Sequence, residues 1–265
     1  MILIEFIILG LIQGLTETVP ISSSGHLMII KYLFNLNIDY DNIAILTNFG
    51  SLLAVIILFY KDIKAIINDS FLYLKTKDKN YKNTFNYFLL ILLGCIPAGI
   101  AGLIISKLNL FSKIENNIKI VGFSLIITSV LLFIVRKYNG YKNDNNITFK
   151  DALFIGCFQI LGIFPGISRS GSTIVASLIS DLKRETAFKY SFMLYIPISI
   201  AATMLELTKL NIQSNLMIYY FISIFISFVV TLLVTKTFKQ IVNSGKLVYF
   251  SVYCFIVGLL VILLL

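Results

Sequence analysis

Charge is the scarcest property of this chain. Of its 265 residues only 13% are charged, whereas 58% are hydrophobic and mean hydropathy is +0.90. A soluble domain carries about a quarter charged residues, so that class is excluded and a polytopic membrane protein remains. Cysteine is nearly missing too. Cys95, Cys157 and Cys254 lie in apolar segments without metal-type spacing, which makes them small core residues rather than a metal centre. Histidine occurs once, at His26, so any imidazole chemistry rests on a single ring. Acidic residues number 13 against 22 Lys and Arg, and the net charge of +9 is accounted for by a basic collar on anionic headgroups, without a nucleic-acid partner. No cleavable leader is expected, since the first apolar segment runs straight into Gln13 and Glu17.

Long apolar runs dominate what is present. Six stretches, at 43–60, 84–106, 117–136, 188–208, 215–235 and 247–265, are of a length to cross a hydrocarbon core of about 30 Å and are predicted as helices. Regions 2–34 and 152–180 differ. Each reads as an apolar helix of about 12–16 residues, a Pro, a Ser/Gly run and a second short apolar helix, halves too short to span. Broken backbone at membrane depth is tolerated only inside protein or beside a wet cavity, so re-entrant hairpins are expected rather than two kinked spanning helices.

Lys and Arg set the orientation. The connection at 61–83, expected as a cytoplasmic loop, holds Lys61, Lys64, Lys75, Lys77, Lys79 and Lys82. Segments 136–150, 181–189 and 236–246 add most of the other basic residues. The opposite connections are poor in them: 35–42 has Asp39 and Asp41 but no base, while 107–119 and 209 contribute Lys107, Lys113, Lys119 and Lys209. Both termini are thereby placed outside. Each half becomes one hairpin followed by three crossings, and an odd number of crossings inverts the second half. The expected fold is an all-α polytopic membrane protein with six transmembrane helices plus two re-entrant helical hairpins in two inverted-topology repeats. It forms a single integral membrane domain over 1–265, with repeats at 1–136 and 150–265. The hairpin tips then meet near the midplane, where inverted-repeat transporters build central sites.

The two hairpins are copies of one another. One reads QGLTETVPISSSGH from Gln13 and the other QILGIFPGISRSGST from Gln159; an offset of 146 residues lays Gly10, Gln13, Ser22, Ser24 and Gly25 over Gly156, Gln159, Ser168, Ser170 and Gly171. Gln13 and Glu17 are one helical turn apart and share a face. A carboxylate at this depth needs a cation, a donor or a proton, which makes Glu17 a functional candidate; a neutral, hydrogen-bonded Glu near the interface is the plainer reading. Pro20 is expected to end the first helix. Ser22, Ser23, Ser24 and Gly25 then supply hydroxyls and permissive backbone before a helix expected to begin near His26, an arrangement that suits phosphate and ordinary helix capping alike. His26 can pass a proton or attack directly, or serve as a satisfied structural residue. In the second hairpin, Arg169 is the one guanidinium set in apolar sequence, among Ser168, Ser170, Gly171 and Thr173. It requires an anion, either a phosphate held by its planar fork or Glu17 in a structural pair.

These motifs resemble those of the bacitracin-resistance type undecaprenyl-diphosphate phosphatases, integral membrane enzymes of polyprenyl carrier recycling. The family's first motif stands here as Gln13, Glu17, Pro20, Ser22, Ser23, Ser24, Gly25 and His26, and its second runs intact from Pro165 to Thr173. The likeness covers essentially the whole chain; Gln13 replaces the Glu of many members, which removes one candidate metal ligand. What the resemblance implies is removal of one phosphate from a polyprenyl diphosphate, with a divalent cation, Mg2+ or Ca2+, held by Glu17 with Gln13 or water. In that frame Glu17, Ser23, His26 and Arg169 are catalytic, while Gln13, Ser22, Ser24, Gly25, Ser168, Ser170, Gly171 and Thr173 bind substrate. Ser23 activated by His26 is the expected nucleophile, ahead of His26 itself or metal-bound water. The implied location is the plasma membrane, with the site opening to the outer side. The partners are the lipid diphosphate, membrane lipids and, as an allowed assembly, a second copy in a homodimer. A transporter or flippase without hydrolysis is the rival reading. A translocator has no need of a hydroxyl nucleophile beside a proton donor.

Overall fold

The structure is a computed structural model that describes residues 2–34, 40–108, 117–208, 210 and 216–265. Its regular elements are helices: α1 Ile2–Thr16, α2 Ser23–Phe34, α3 Tyr40–Leu58, α4 Tyr60–Thr76, α5 Lys82–Lys107, α6 Ile118–Val135, α7 Phe149–Leu161, α8 Arg169–Ile179, α9 Arg184–Leu207, α10 Met217–Asn243 and α11 Val248–Leu264. Short 3-10 turns occur at Lys79–Tyr81 and Asp144–Asn146. The six predicted crossings correspond to α3, α5, α6, α9, α10 and α11. Five of them are long and apolar enough to span a membrane; α11, at 17 residues, rises about 25 Å and falls just short by itself. The protein is an all-helical, multi-pass membrane protein.

Lipid tails are as apolar as leucine, so helices in a membrane associate through small residues and interhelical hydrogen bonds. α1 lies against α10 at Gly10, where a Cβ would meet the Ser223 carbonyl oxygen at 2.6 Å. α7 lies against α5 by the same device, Gly156 on Gly94. Gly10 and Gly156 are counterparts in the duplication, so the first helix of each hairpin leans on the second long helix of the other half. Hydroxyls join the helices elsewhere. Ser51 Oγ of α3 sits 2.8 Å from Ser227 Oγ and 2.9 Å from Thr231 Oγ1 of α10, and Ser251 of α11 donates to the Ser129 carbonyl of α6 at 2.8 Å. α8 is buried from Ser170 to Leu178, packed with α9 in the largest apolar cluster. That enclosure is what a chain interrupted at membrane depth requires.

Four expectations are corrected. The 61–83 loop is for the most part a helix, α4. Its charges obscured an amphipathic repeat in which Ile63, Ile66 and Tyr73 turn inward, Ile66 buried and the Tyr73 ring 4.9 Å from that of Phe85. Pro20 does not terminate α1, which ends at Thr16. α2 begins at Ser23 rather than near His26, because Ser22 already provides the cap. Cys157, expected in the core, is exposed on α7, whose buried side is carried by Ala152, Ile155, Gly156 and Gln159. The expected outer connections, with Asp39, Lys113 and Lys209, fall largely outside the described residues.

Candidate active site

Glu17 lies just past the end of α1, its N–H still bonded to the Gln13 carbonyl at 2.9 Å. One turn back, Gln13 Nε2 donates to Glu17 Oε2 at 2.8 Å. The chain then reverses through Pro20 and Ser22, the latter in the left-handed region at φ 68°. Ser23 opens α2, and its hydroxyl donates to the same Oε2 at 2.5 Å. From the other hairpin, Arg169 Nη2 donates to Oε1 at 2.5 Å. One carboxylate, its side chain 3% exposed, thus gathers an amide, a hydroxyl and a guanidinium.

The duplication explains how Ser23 and Arg169 come to face each other. They are counterparts at the offset of 146, each the first residue of its hairpin's second helix. The caps before them repeat as well. Ser22 Oγ accepts from the Gly25 N–H at 3.3 Å, and Ser168 Oγ from the Gly171 N–H at 3.1 Å. Ser24 Oγ stands 3.3 Å from Ser22 Oγ, and Ser170 Oγ stands 3.2 Å from Ser168 Oγ. The tips touch through exchanged pairs: a Cβ on Gly25 would lie 2.9 Å from Gly166 Cα, and one on Gly171 would lie 3.3 Å from the Cβ of Pro20, the counterpart of Gly166. Such exchange is what a local two-fold axis between the tips produces. The chemistry breaks that symmetry. Ile163 stands where Glu17 has its counterpart, and Gln159, counterpart of Gln13, is buried with neither amide atom bonded to the described protein.

Gln13, Glu17, Ser23 and Arg169 are therefore brought together directly, while other expected site residues build their support. Ser22 and Ser168 are helix caps, and Gly25 and Gly171 are the crossing points of the tips. Ser170 Oγ reaches the Val19 carbonyl at 3.4 Å; the Thr173 hydroxyl lies 2.5 Å from Ser191 Oγ. His26 departs from expectation. Its Nδ1 sits 2.7 Å from the Ser22 carbonyl oxygen, which places the ring hydrogen on Nδ1 and leaves Nε2 to accept from the Tyr253 hydroxyl at 2.8 Å. The Ser22 carbonyl captures the ring, and Ser23 bonds to Glu17 in place of His26.

Sequence reasoning missed three supports. The Arg169 guanidinium lies over the Tyr195 ring, Cζ 3.8 Å from its centroid. Tyr253 is the partner of His26, their rings stacked at 5.6 Å. Thr128 Oγ1 accepts from the Ser168 N–H at 3.1 Å and so props the second tip. Their only sequence signal is a polar tip within an apolar run. A small cleft of about 10 Å³, room for one water-sized group, opens between Glu17, Arg169, Ser191 and Tyr195.

The family described as Bacitracin resistance protein BacA matches residues 6–260. The chain belongs to the BacA family. Among its relatives, Undecaprenyl-diphosphatase 2 of Bacillus thuringiensis is 38% identical, with 99% of this chain and 98% of that protein covered. Undecaprenyl-diphosphatase 1 of Bacillus licheniformis is 37% identical over 99% and 98% of the two chains. Undecaprenyl-diphosphatase of Oceanobacillus iheyensis is 36% identical over 99% and 97%. In this BacA-family chain, the shared carboxylate and both hairpin tips lie inside the matched region.

Proposed function

We infer that this chain hydrolyses undecaprenyl diphosphate to the monophosphate lipid and inorganic phosphate, as the names of its full-length relatives indicate. The observation that carries the reading is Glu17, whose carboxylate binds a serine hydroxyl on one oxygen and a guanidinium on the other. A hydroxyl beside a base is superfluous for translocation, and the family lends the transporter reading no support.

Phosphoryl transfer asks a protein mainly for positioning and charge neutralisation. Arg169 is occupied by Glu17 in the present state, and the cleft beside it is too small for a diphosphate. Entry of the head group therefore draws the guanidinium from the carboxylate to the phosphate oxygens, which its fork grips in pairs. The Tyr195 ring beneath it keeps it aligned during the exchange. Ser23 Oγ then attacks the terminal phosphorus. Its O–P bond forms as the bond to the bridging oxygen breaks, the monophosphate lipid leaves, and the serine proton passes to Glu17 Oε2. Glu17 releases that proton to the departing phosphate. Water next attacks the phosphoserine, and its proton travels through Glu17 back to Ser23 Oγ, freeing phosphate. His26, tied to Ser22 and Tyr253, positions the first turn of α2 rather than acting as the base.

The expected divalent cation fits this site only in part. Among the described residues Glu17 is the single carboxylate at the site, Gln13 offers an amide oxygen, and no three His, Cys, Asp or Glu side chains gather. Mg2+ or Ca2+ prefers oxygen donors, and Glu17 with the Gln13 amide oxygen would be the residues to hold it. Bound there, the ion would neutralise charge on the phosphate oxygens.

The same proposal includes six crossings and two re-entrant hairpins in inverted repeats, in a plasma membrane, with the cleft opening outward. The exchanged tip contacts and the basic residues at the ends of α4, α6 and α10 support it. The test is phosphate release from a long-chain polyprenyl diphosphate by the detergent-purified protein, with Mg2+ or Ca2+ and then with chelator, beside Ser23→Ala and Arg169→Ala. Metal-dependent release lost in both variants is expected. Lipid binding without release would return the transporter reading, and substantial turnover by Ser23→Ala would overturn the serine nucleophile.

A further inference from the structure

We propose that α4 is an interfacial anchor that selects anionic phospholipid headgroups, a role independent of the reaction. The helix divides into three arcs. Ile63, Ile66, Ser70 and Tyr73 face the protein, with Ile66 and Ser70 buried. The two carboxylates border this arc and are already engaged: Asp62 accepts from Lys189 Nζ at 2.8 Å, and Asp69 accepts from the Thr84 hydroxyl at 3.3 Å.

The second arc is apolar and uncovered. Tyr60, Ile67, Phe71 and Leu74, at positions that fall on one face, are 57%, 58%, 65% and 55% exposed. Directly beside it runs the third arc, Lys61, Lys64 and Lys75, all exposed, none of them in an ion pair among the described residues. Lys77, Lys79 and Lys82 extend the basic surface past the helix end.

Neither water nor acyl chain alone suits this helix. Four large apolar side chains in water would be costly, and three lysines within hydrocarbon more so. A helix seated at the headgroup boundary satisfies both arcs: the apolar side chains sink into the acyl region while lysine stems lie along it and carry their ammonium groups up to phosphate. The sign of the charge identifies the lipid. Asp62 is paired with Lys189, Asp69 is turned to Thr84, and Asp78 is the one acid among the lysines beyond the helix, so the free arc of α4 carries cations alone, which complements an anionic leaflet and offers a zwitterionic one no net attraction.

The chain contains no tryptophan, so one introduced indole reports its own surroundings. The full-length protein carrying Phe71→Trp is reconstituted into vesicles of phosphatidylcholine and phosphatidylglycerol in equal parts, with brominated acyl chains on one lipid or on the other. Quenching should favour brominated phosphatidylglycerol by about fivefold, the factor that roughly one lysine at a charged surface supplies. Raised salt should diminish it, and replacing Lys61, Lys64, Lys75, Lys77, Lys79 and Lys82 together with Gln should bring it to parity. Phe225→Trp, on the lipid-facing side of α10, should show no preference, and Ile67→Trp repeats the measurement should Phe71→Trp fold poorly. Equal quenching by the two lipids, or a preference that survives loss of the lysines, would overturn headgroup selection. An indole quenched by aqueous acrylamide and untouched by bromine would overturn the interfacial position itself, leaving the face to water or a protein partner.

Discussion

Replacing Glu17 with Gln tests the assignment of the base at constant volume. The amide can still accept one hydrogen bond, but it cannot take the Ser23 proton, and it leaves Arg169 without a counter-ion. Loss of a positioned base costs about 10²- to 10⁴-fold in turnover. Stripping one member from a buried ion pair costs about 3–5 kcal/mol in full enclosure. Here the Arg169 side chain is 20% exposed and rests on Tyr195, so about 1–3 kcal/mol is the reasonable range. The assay is the initial rate of phosphate release at saturating lipid diphosphate for Glu17→Gln, Ser23→Ala and the double variant, alongside thermal unfolding of each. If nucleophile and base act as one unit, the double variant is no slower than Ser23→Ala. Turnover retained within about tenfold, less than a general base supplies, or losses that simply multiply, would refute the dyad.

Three other outcomes are expected. Arg169→Lys keeps the charge but loses the fork and the stacking on Tyr195, and should lower kcat/KM by at least about tenfold, measured with the same release assay. Tyr253→Phe removes the donor to His26 Nε2 and leaves Ser23 on Glu17; turnover should fall by less than about tenfold, and its abolition would show that His26 has a direct chemical role. Gly25→Ala inserts a methyl 2.9 Å from Gly166 Cα. Backbone at a tip crossing yields poorly, so the variant should lose about 1–3 kcal/mol and melt at lower temperature, while an unchanged melting point would show that the tips separate easily.

Legibility in the sequence followed the range of the interaction. The six long helices were visible because apolar run length is a property of consecutive residues, and the hairpins because their Ser/Gly breaks recur at one offset, each just after a Pro. Gln13 and Glu17 could be paired, one turn apart on one face. α4 escaped because its inward residues recur at helical spacing among charges, so it looked like a loop. His26 was set against Ser23 by proximity in the chain, yet the Ser22 carbonyl and Tyr253, which come from backbone reversal and from α11, took both ring nitrogens. Tyr195 could not be tied to Arg169 by spacing, since only the packing of α8 on α9 makes them neighbours.

The sequence by itself determined the solvent, the helices and the residue types of the site. Hydrophobicity and chain interruption are local, and the family likeness lies in contiguous motifs. Only the tertiary structure decided which groups share a carboxylate, because crossing the two tips at Gly25 and Gly171 brings Ser23 and Arg169, 146 residues apart, onto Glu17. A buried charge binds whichever donors the fold presents to it, and beyond Gln13, one helical turn away, no spacing along the chain encodes that choice.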